Sequence, residues 1–243
     1  MAELKYRRIL LKISGEGLSG AGGFGLAKDE LDKVAAQVEE LVSLGVQPAI
    51  VVGAGNLVRG ATLSKMANIH RVTGDQMGMM ATVINALALQ DVLEGQKIPT
   101  RVLSAIEVTR FCEPFIRRRA IKHMQNNRVV ILAGGTGNPF FTTDTCAALR
   151  AAEIHADVLI KATKVDGVYS ADPITHPAAR KYTRLTYDEV LRDNLRVMDQ
   201  TAISMCKENK IDIIVCSLLT PGTVARVAKG EAVGTLITHT TEA

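Results

Sequence analysis

Residues 128–162 read RVVILAGGTGNPFFTTDTCAALRAAEIHADVLIKA, and this stretch decides the fold class. An apolar run over 128–133 leads into a glycine-rich loop, a helical pattern over 144–155 and a second apolar run over 156–162. Continuous apolar runs are typical of parallel strands that are covered on both faces. The stretch therefore predicts a strand–helix–strand unit with a right-handed connection.

The same alternation extends along the rest of the chain. Further strands are predicted over residues 6–14, 46–53, 101–108 and 211–217. An apolar stripe over residues 31–42 predicts one further helix, which stops at Gly45. Other helices are predicted over residues 76–93, 114–126, 186–194, 199–209 and 221–228. Helices that follow strands in this way cover both faces of a largely parallel sheet. We expect an α/β protein, a three-layer α/β/α sandwich in which residues 1–243 form a single domain.

Composition excludes a disordered chain, a collagen and a coiled coil. The 243 residues are 47% hydrophobic and 22% charged, which is typical of a folded globular chain. The longest apolar stretch, residues 77–89, is too short to span a bilayer core of about 30 Å. The amino-terminal MAELKYRR leads into no hydrophobic region of the signal-peptide type. We expect a cytoplasmic protein with no membrane partner.

Charge and residue spacing narrow the choice of ligand. The net charge is +4 with nine tyrosines and phenylalanines and no tryptophan, which favours small anionic substrates over a nucleic-acid groove. The four cysteines have no CxxC spacing and the five histidines no ligand-like spacing. We expect reduced thiols and no metal held by protein side chains.

The loop after the first strand is a candidate phosphate cradle. It reads KISG over residues 12–15, and Gly15, Gly17 and Gly20 fit the dinucleotide pattern GxGxxG. That pattern also needs an acidic residue at the end of the second strand, which is missing here, and no GxxxxGK[ST] motif occurs. What remains is Lys12 beside free backbone amides, or alternatively a tight turn with a solvated lysine.

The second strand ends in GAGNLVRG, residues 53–60, where two glycines again bring backbone amides close to a ligand. Arg59 follows four residues after Gly55, near enough to place its planar guanidinium on a phosphate. An ordinary glycine turn with a surface arginine is the alternative.

The third loop, residues 134–144, is the most specific stretch. Its threonine and asparagine side chains offer directed hydrogen bonds to a base, and the helix amino terminus that follows favours an anion. Asp144 is predicted to be the N-cap of that helix. The alternative is a purely structural turn with buried phenylalanines.

A fourth loop, residues 161–173, carries lysines, Tyr169 and Asp172 around an Asp-Gly turn, and a charged hairpin would look the same. Four such loops after strands are harder to dismiss than any one. Two neighbouring anion sites with basic residues between them describe a phosphotransferase with a donor and an acceptor.

Together these motifs resemble the amino acid kinase superfamily and, within it, the branch that phosphorylates UMP. The match runs in order along the whole chain through LLKISGE, GAGN-x-x-RG, TGDQMGM at 73–79, GNPFFTTD at 137–144, KATKVDGV at 161–168 and GTLI at 234–237. The resemblance implies a sheet of about eight strands and the reaction ATP + UMP → ADP + UDP with Mg²⁺. It also implies a homohexamer that GTP activates and UTP inhibits.

The family pattern can be laid on this sequence residue by residue. It assigns ATP binding to Lys12, Ile13, Ser14, Gly15, Gly55, Arg59, Thr163, Tyr169 and Asp172. It assigns UMP binding to Ala54, Asp75, Thr136, Gly137, Asn138, Pro139, Phe140, Phe141, Thr142 and Thr143. It assigns GTP activation to Gly20, Ala21, Gly22, Gly23, Phe24 and Gly25, a segment expected to lie away from the reacting phosphates. The family usually has a glycine where this chain has Ala54, so binding there requires a negative φ.

The expected chemistry needs charge neutralisation rather than a general base, because a phosphate monoester is largely deprotonated at pH 7. We expect Lys12 on the transferring phosphoryl group and Arg59 on the acceptor phosphate or the bridging charge. Asp144 and Asp199 are candidates for orienting the lysines or Mg²⁺.

Two other functions fit the same motifs. One is a kinase of this fold with a carboxylate or carbamate acceptor, which would have less use for Asp75 opposite a ribose hydroxyl. The other is a non-catalytic nucleotide-binding protein, which would have no need of Lys12 or Arg59.

Overall fold

Parallel strands form the centre of the molecule, as the sequence predicts. The computed structural model describes residues 4–20, 22–58, 68–173, 175–195, 197–218 and 220–240, and within these residues nine strands form one sheet. In chain order the strands are β1 Arg8–Ile13, β2 Gln47–Val52, β3 Thr100–Ser104, β4 Glu113–Pro114, β5 Val129–Ala133, β6 Val158–Thr163, β7 Val168–Tyr169, β8 Lys181–Tyr182, β9 Arg184–Thr186, β10 Asp212–Ser217 and β11 Thr235–Thr238.

The order across the large sheet is β4-β3-β5-β2-β1-β6-β10-β11-β9, and β7 and β8 form a separate antiparallel hairpin. Every pair in the large sheet is parallel except β10 with β11. The seven strands from β4 to β10 in this order run the same way, so their carboxyl ends meet at one edge, where ligands bind in open α/β sheets, while β11 and β9 run the opposite way.

Helices cover both faces of the sheet, which confirms the predicted three layers. They are α1 Lys28–Ser43, α2 Arg71–Gly95, α3 Arg117–Gln125, α4 Thr143–Ile154, α5 Tyr187–Arg192, α6 Gln200–Glu208 and α7 Thr223–Ala228, with a short 3₁₀ turn at Gly15–Leu18. One apolar core packs α1, α2 and α7 against the sheet, and a second packs α3 to α6 against the other face. Within the described ranges, none of the helices combines the length and apolarity needed to cross a bilayer.

Strand β1 occupies the middle of the sheet and decides where the site forms. It pairs with β2 on one side and with β6, from the second half of the chain, on the other. Alternate residues of β1 enter different cores, so Leu11 and Ile13 face α1 and α2 while Leu10 faces the α4 side. Lys12 continues the Leu10 face, where α4 begins.

Several predicted boundaries were wrong for local reasons. Strand β3 ends at Ser104, whose hydroxyl accepts a hydrogen bond from the Ile106 N–H at 3.1 Å and donates one to the Ile106 carbonyl at 2.8 Å. Residues 113–114 form the edge strand β4 instead of opening a helix, since proline is tolerated on a sheet edge. Helix α2 begins at Arg71, five residues before the predicted start.

Candidate active site

Two lysines and one aspartate form a buried ion cluster where β1, β6 and the start of α4 meet. Lys12 and Lys161 are direct neighbours across β1 and β6. Asp144 lies between them, with Oδ1 2.7 Å from Lys12 Nζ and Oδ2 2.8 Å from Lys161 Nζ. The Lys161 ammonium also donates to the Val197 carbonyl at 2.5 Å. One carboxylate thus compensates two adjacent cations.

The charges in this cluster shift the pKa values of its members. Burial pushes the pKa of Asp144 up, but the Lys12 and Lys161 charges outweigh it and hold that pKa below its ordinary value. Burial lowers the pKa of Lys161, an effect that Asp144 opposes and the neighbouring Lys12 reinforces. The aspartate is therefore ionised at neutral pH and keeps the cations oriented.

Helix α4 carries Asp144 into the cluster, but the predicted N-cap was wrong by two residues. Thr142 is the N-cap, and its hydroxyl accepts from the N–H groups of Asp144 at 3.0 Å and Thr145 at 3.2 Å. A threonine satisfies free amides of the first turn, which leaves the aspartate two residues further on free to reach the lysines. Its negative charge also suits the positive end of the helix dipole.

Asp199 lies beside this cluster and orients threonines rather than touching the lysines directly. Its carboxylate accepts hydrogen bonds from the hydroxyls of Thr142 and Thr145, the latter at 2.8 and 3.0 Å. It also caps α6 by accepting from the Ala202 N–H at 3.0 Å. Asp199 therefore locks the amino termini of α4 and α6 together.

The first two glycine loops are in direct backbone contact. A Cβ on Gly15 would lie 2.5 Å from the Gly55 nitrogen and 2.5 Å from Asn56 Oδ1, and one on Gly53 would lie 2.8 Å from the Gly15 nitrogen. These positions need glycine because the backbones approach too closely for any side chain. The two candidate phosphate loops thus form one continuous floor.

A cavity of about 280 Å³ opens on the first-loop side of this contact. Residues predicted to bind ATP contribute to it, namely Ile13, Ser14 and Thr163, together with Gly17 and Leu218. We call it the donor cavity.

A second cavity, of about 200 Å³, opens on the second-loop side, and we call it the acceptor cavity. Most residues predicted to bind UMP line it: Ala54, Asp75, Thr136, Asn138, Phe141, Thr142 and Thr143. Gly55 also lines this cavity, although it was predicted for ATP. Ala54 is not among the non-glycine residues with positive φ, so it keeps the backbone conformation that its replacement of glycine requires.

The remaining residues of the third loop shape the cavity from outside. Phe140 has φ of +71° and its N–H donates to Asp75 Oδ2 at 2.8 Å. Arg71 Nε lies 2.9 Å from both oxygens of the same carboxylate and its guanidinium is 5.9 Å from the Phe140 ring centre. Gly137 has φ of +83°, and neither it nor Pro139 lines the cavity. Asp75 therefore ties α2 to this loop.

Other predicted residues lie elsewhere. The Tyr169 hydroxyl donates to Asp166 Oδ1 at 2.5 Å, within the β7–β8 hairpin, and neither Tyr169 nor Asp172 lines the donor cavity. Lys181 also contacts Asp166, at 2.6 Å, so the charged hairpin weighed as an alternative is present. Arg59 and Ala21 lie outside the described residues.

The glycine-rich segment 20–25 lies closer to the site than predicted. Gly20 lines the donor cavity, and Gly25 is hydrogen-bonded to Asn56 beside the second loop. Gly23 and Gly25 have φ of +69° and +77°, which only glycine adopts without strain. Gly22 and Phe24 complete the described part of the segment, and Phe24 is largely exposed.

The described residues fit a metal that arrives with its phosphates better than one held by the protein. No three His, Cys, Asp or Glu side chains in the part of the chain that the structure describes are grouped as a metal site requires. Asp144 and Asp199, the two carboxylates predicted to orient the lysines or the metal, already have protein partners.

Sequence reasoning missed four residues of the site. Lys161 was counted only among the lysines of the fourth loop and given no role of its own, although a lysine after the apolar residues of 158–160 was a signal. Thr82, Asn56 and Asn85 are buried polar residues that gave no signal beyond polarity, because their partners are distant in sequence. The Thr82 hydroxyl accepts from the Gly134 N–H at 2.8 Å and so holds the start of the third loop.

A sheet whose central strands end in glycine loops, beside two cavities and a buried lysine–aspartate cluster, defines an α/β protein of the class that binds ligands at the carboxyl ends of its strands. The model of the amino acid kinase family matches residues 7–217, and the chain belongs to this family. It is 53% identical over 237 residues to the uridylate kinase of Methylococcus capsulatus, covering 98% of this chain and 99% of that one. It is also 53% identical over 235 residues to the uridylate kinase of Legionella pneumophila, covering 97% of this chain and 95% of that one. The crystal structure of UMP kinase from Bacillus anthracis superposes with a TM-score of 0.93 at 37% identity, covering 96% of each chain.

Proposed function

We propose that this chain, acting as one domain, is a UMP kinase that transfers the γ-phosphoryl group of ATP to UMP. The observation that carries the proposal is the pair of cavities on either side of the Gly15–Gly55 contact, with Lys12 and Asp144 beside it. A donor nucleotide on one side and an acceptor phosphate on the other would meet across a shared floor of backbone amides. The likeness to uridylate kinases supports UMP as the acceptor.

The reaction follows from this arrangement. An oxygen of the UMP phosphate attacks the γ-phosphorus of ATP, the bond from that phosphorus to the bridging oxygen breaks, and its electron pair remains on ADP. No general base is needed, because the acceptor phosphate has its second pKa near 6. The Lys12 ammonium, oriented by Asp144, neutralises charge on the transferring group. The positive end of the α4 dipole favours the same anion.

Magnesium is expected to enter with ATP, where it supplies charge neutralisation between the phosphates. Because Asp144 and Asp199 have protein partners, we propose that phosphate oxygens and water provide most of its ligands. Asp144 and Asp199 are the carboxylates that we propose would orient it.

The acceptor panel tests this function. ADP formation from ATP·Mg²⁺ is measured with UMP, CMP, acetylglutamate, aspartate and carbamate as acceptors. We expect a strong preference for UMP, since Thr136, Asn138 and Thr143 offer directed hydrogen bonds that reject a mismatched base edge. Comparable kcat/KM values for CMP and UMP would contradict the specificity, and phosphorylation of a carboxylate or carbamate would replace the proposed acceptor.

Regulation and assembly form the finer part of the proposal. We propose activation by GTP through the segment 20–25, inhibition by UTP, and a homohexamer in the cytoplasm. The apolar, exposed side chains of Met77, Met80 and Ile84 on α2 support self-association. The four free cysteines suit a reducing compartment. Initial rates against GTP at fixed ATP and UMP test the activation, which a flat curve would refute.

A further inference from the structure

Two buried asparagines join the glycine loops behind the proposed site. Asn56 is 1% exposed and Asn85, in the middle of α2, is fully buried. Asn56 Nδ2 donates to Asn85 Oδ1 at 3.0 Å, and Asn85 Nδ2 donates to Asn56 Oδ1 at 2.7 Å. Each amide thus uses both its donor and its acceptor on the other.

The second hydrogen of each side-chain amide is donated to the backbone carbonyl of a glycine. Asn85 Nδ2 also donates to the Gly53 carbonyl at 2.7 Å, where the second loop begins. Asn56 Nδ2 also donates to the Gly25 carbonyl at 2.7 Å, and the Gly25 N–H donates back to the Asn56 carbonyl at 2.9 Å. Gly25, the end of the glycine-rich segment, is therefore held at two points.

The pair also sets the spacing between the donor and acceptor loops. Gly15 packs so closely on Asn56 Oδ1 that a Cβ there would be 2.5 Å away. Ala54 and Gly55, between Gly53 and Asn56, line the acceptor cavity. A shift of the Asn56 amide would therefore displace the floor shared by both cavities.

We propose that Asn56 and Asn85 are positioning residues, an amide pair that fixes the acceptor loop against the donor loop and attaches the glycine-rich segment to both. Apolar side chains would fill the same volume without directing a hydrogen bond, so packing alone does not account for two asparagines here. The pair touches neither substrate and acts through Gly53, Gly55 and Gly25. This inference rests on the proposed kinase function.

Steady-state kinetics of two variants test the positioning role. Asn85→Leu removes every hydrogen bond of that amide, and Asn85→Ser, which leaves room for water, guards against failure to fold. We expect kcat to fall by about 10²-fold in each, because a misplacement near 1 Å costs about that much. KM for UMP should change by only a few-fold, since the cavity walls from α4 and the third loop remain.

Tyr187→Phe is the matched control. It deletes a buried hydrogen bond, from the Tyr187 hydroxyl to the Ile211 carbonyl, in the core on the other face of the sheet. We expect it to lower the melting temperature and leave kcat unchanged. Folded Asn85→Ser with kcat within twofold of wild type would overturn the proposal, whatever its melting temperature. A wild-type protein without UMP-dependent ADP formation would instead refute the kinase function.

Hydrogen exchange tests the attachment of the segment without relying on activity. The Gly25 amide should lose protection in Asn85→Ser and keep it in Tyr187→Phe, because its acceptor is the Asn56 carbonyl. Unchanged protection of Gly25 in Asn85→Ser would show that the pair does not hold the segment.

Discussion

At the scale of single residues, Lys12, Asp144 and Lys161 form a cluster of buried charges in the candidate site. Two ammonium groups on neighbouring strands would repel each other without the carboxylate between them. Burial makes every charge in the cluster depend on its partners, since an uncompensated buried ion is costly. The same groups are proposed to face the transferred phosphoryl group, so stability and turnover depend on one aspartate.

Replacing Asp144 by asparagine should destabilise the protein by about 3–5 kcal/mol at pH 7, because it leaves two buried cations uncompensated. The folded-state pKa of Asp144 is lowered, so its contribution is present above the ordinary carboxyl value of 3.8 and is lost as the pH falls through the folded-state value. The difference in unfolding free energy between wild type and Asp144→Asn should therefore shrink below pH 4 in denaturant titrations.

Asp188→Asn is the control for this prediction, since its ion pair with Lys207 at 2.6 Å is on the surface. Its melting temperature should stay close to that of the wild type. If the difference in unfolding free energy between wild type and Asp144→Asn stays constant from pH 7 to pH 3, the assigned ionisation of Asp144 is wrong.

At the scale of elements, the contact between the first two glycine loops leaves no room for a methyl group. Gly15→Ala should lower kcat by at least about 10²-fold, because the new Cβ would push Gly55 and Asn56 away by more than the tolerance of phosphoryl transfer. Gly95→Ala, at the end of α2 with open space around it, is the control and should keep full activity. Wild-type turnover in Gly15→Ala would show that the loops can separate without loss.

The sequence predicted elements whose signal is local. The apolar run and glycine loop of residues 128–144 place β5 and the start of α4 correctly, and alternation predicted the layers. The sequence did not predict β9 and β11, which are only three and four residues long. These two strands pair with each other, and such pairing leaves no local signal. Asp144 was expected to cap its helix, because spacing alone does not distinguish Thr142 from a carboxylate drawn away by two lysines.

The residues of the candidate site were likewise predicted where they are contiguous in sequence and missed where they are distant. Glycine loops and the threonines of residues 136–143 are contiguous in sequence, so the acceptor cavity was largely anticipated. The pairing of Asn56 with Asn85 joins residues 29 positions apart on different elements, which periodicity does not encode. Tyr169 stays a prediction for the donor nucleotide, and its hydroxyl donates to Asp166, three residues earlier, a contact that the sequence did not predict.

At the scale of the whole molecule, the outer face of α2 is the surface expected to join copies of the chain. Met80 is 60% and Ile84 54% exposed, one turn apart on the helix that also carries Asp75. Apolar side chains at a spacing of three and four form one stripe, which suits packing against another helix.

Light scattering should give a particle mass six times the 26.1 kDa of one chain, as the proposed homohexamer requires. Met80→Glu combined with Ile84→Lys should reduce that mass, since charges on the stripe oppose its burial, whereas Asp188→Lys on the opposite face should not. A monomer for the wild type, or an unchanged assembly in the double variant, would remove α2 from the interface.

The central place of β1 also has a consequence during synthesis of the chain. Its partner β2 follows directly, but β6 begins only at Val158. At ribosomal speeds the interval is on the order of ten seconds, and throughout it β1 is an open sheet edge with apolar residues on both faces. The growing chain therefore passes through a stage in which its future central strand is an aggregation-prone edge, and a chaperone that shields this edge would raise the yield of folded protein.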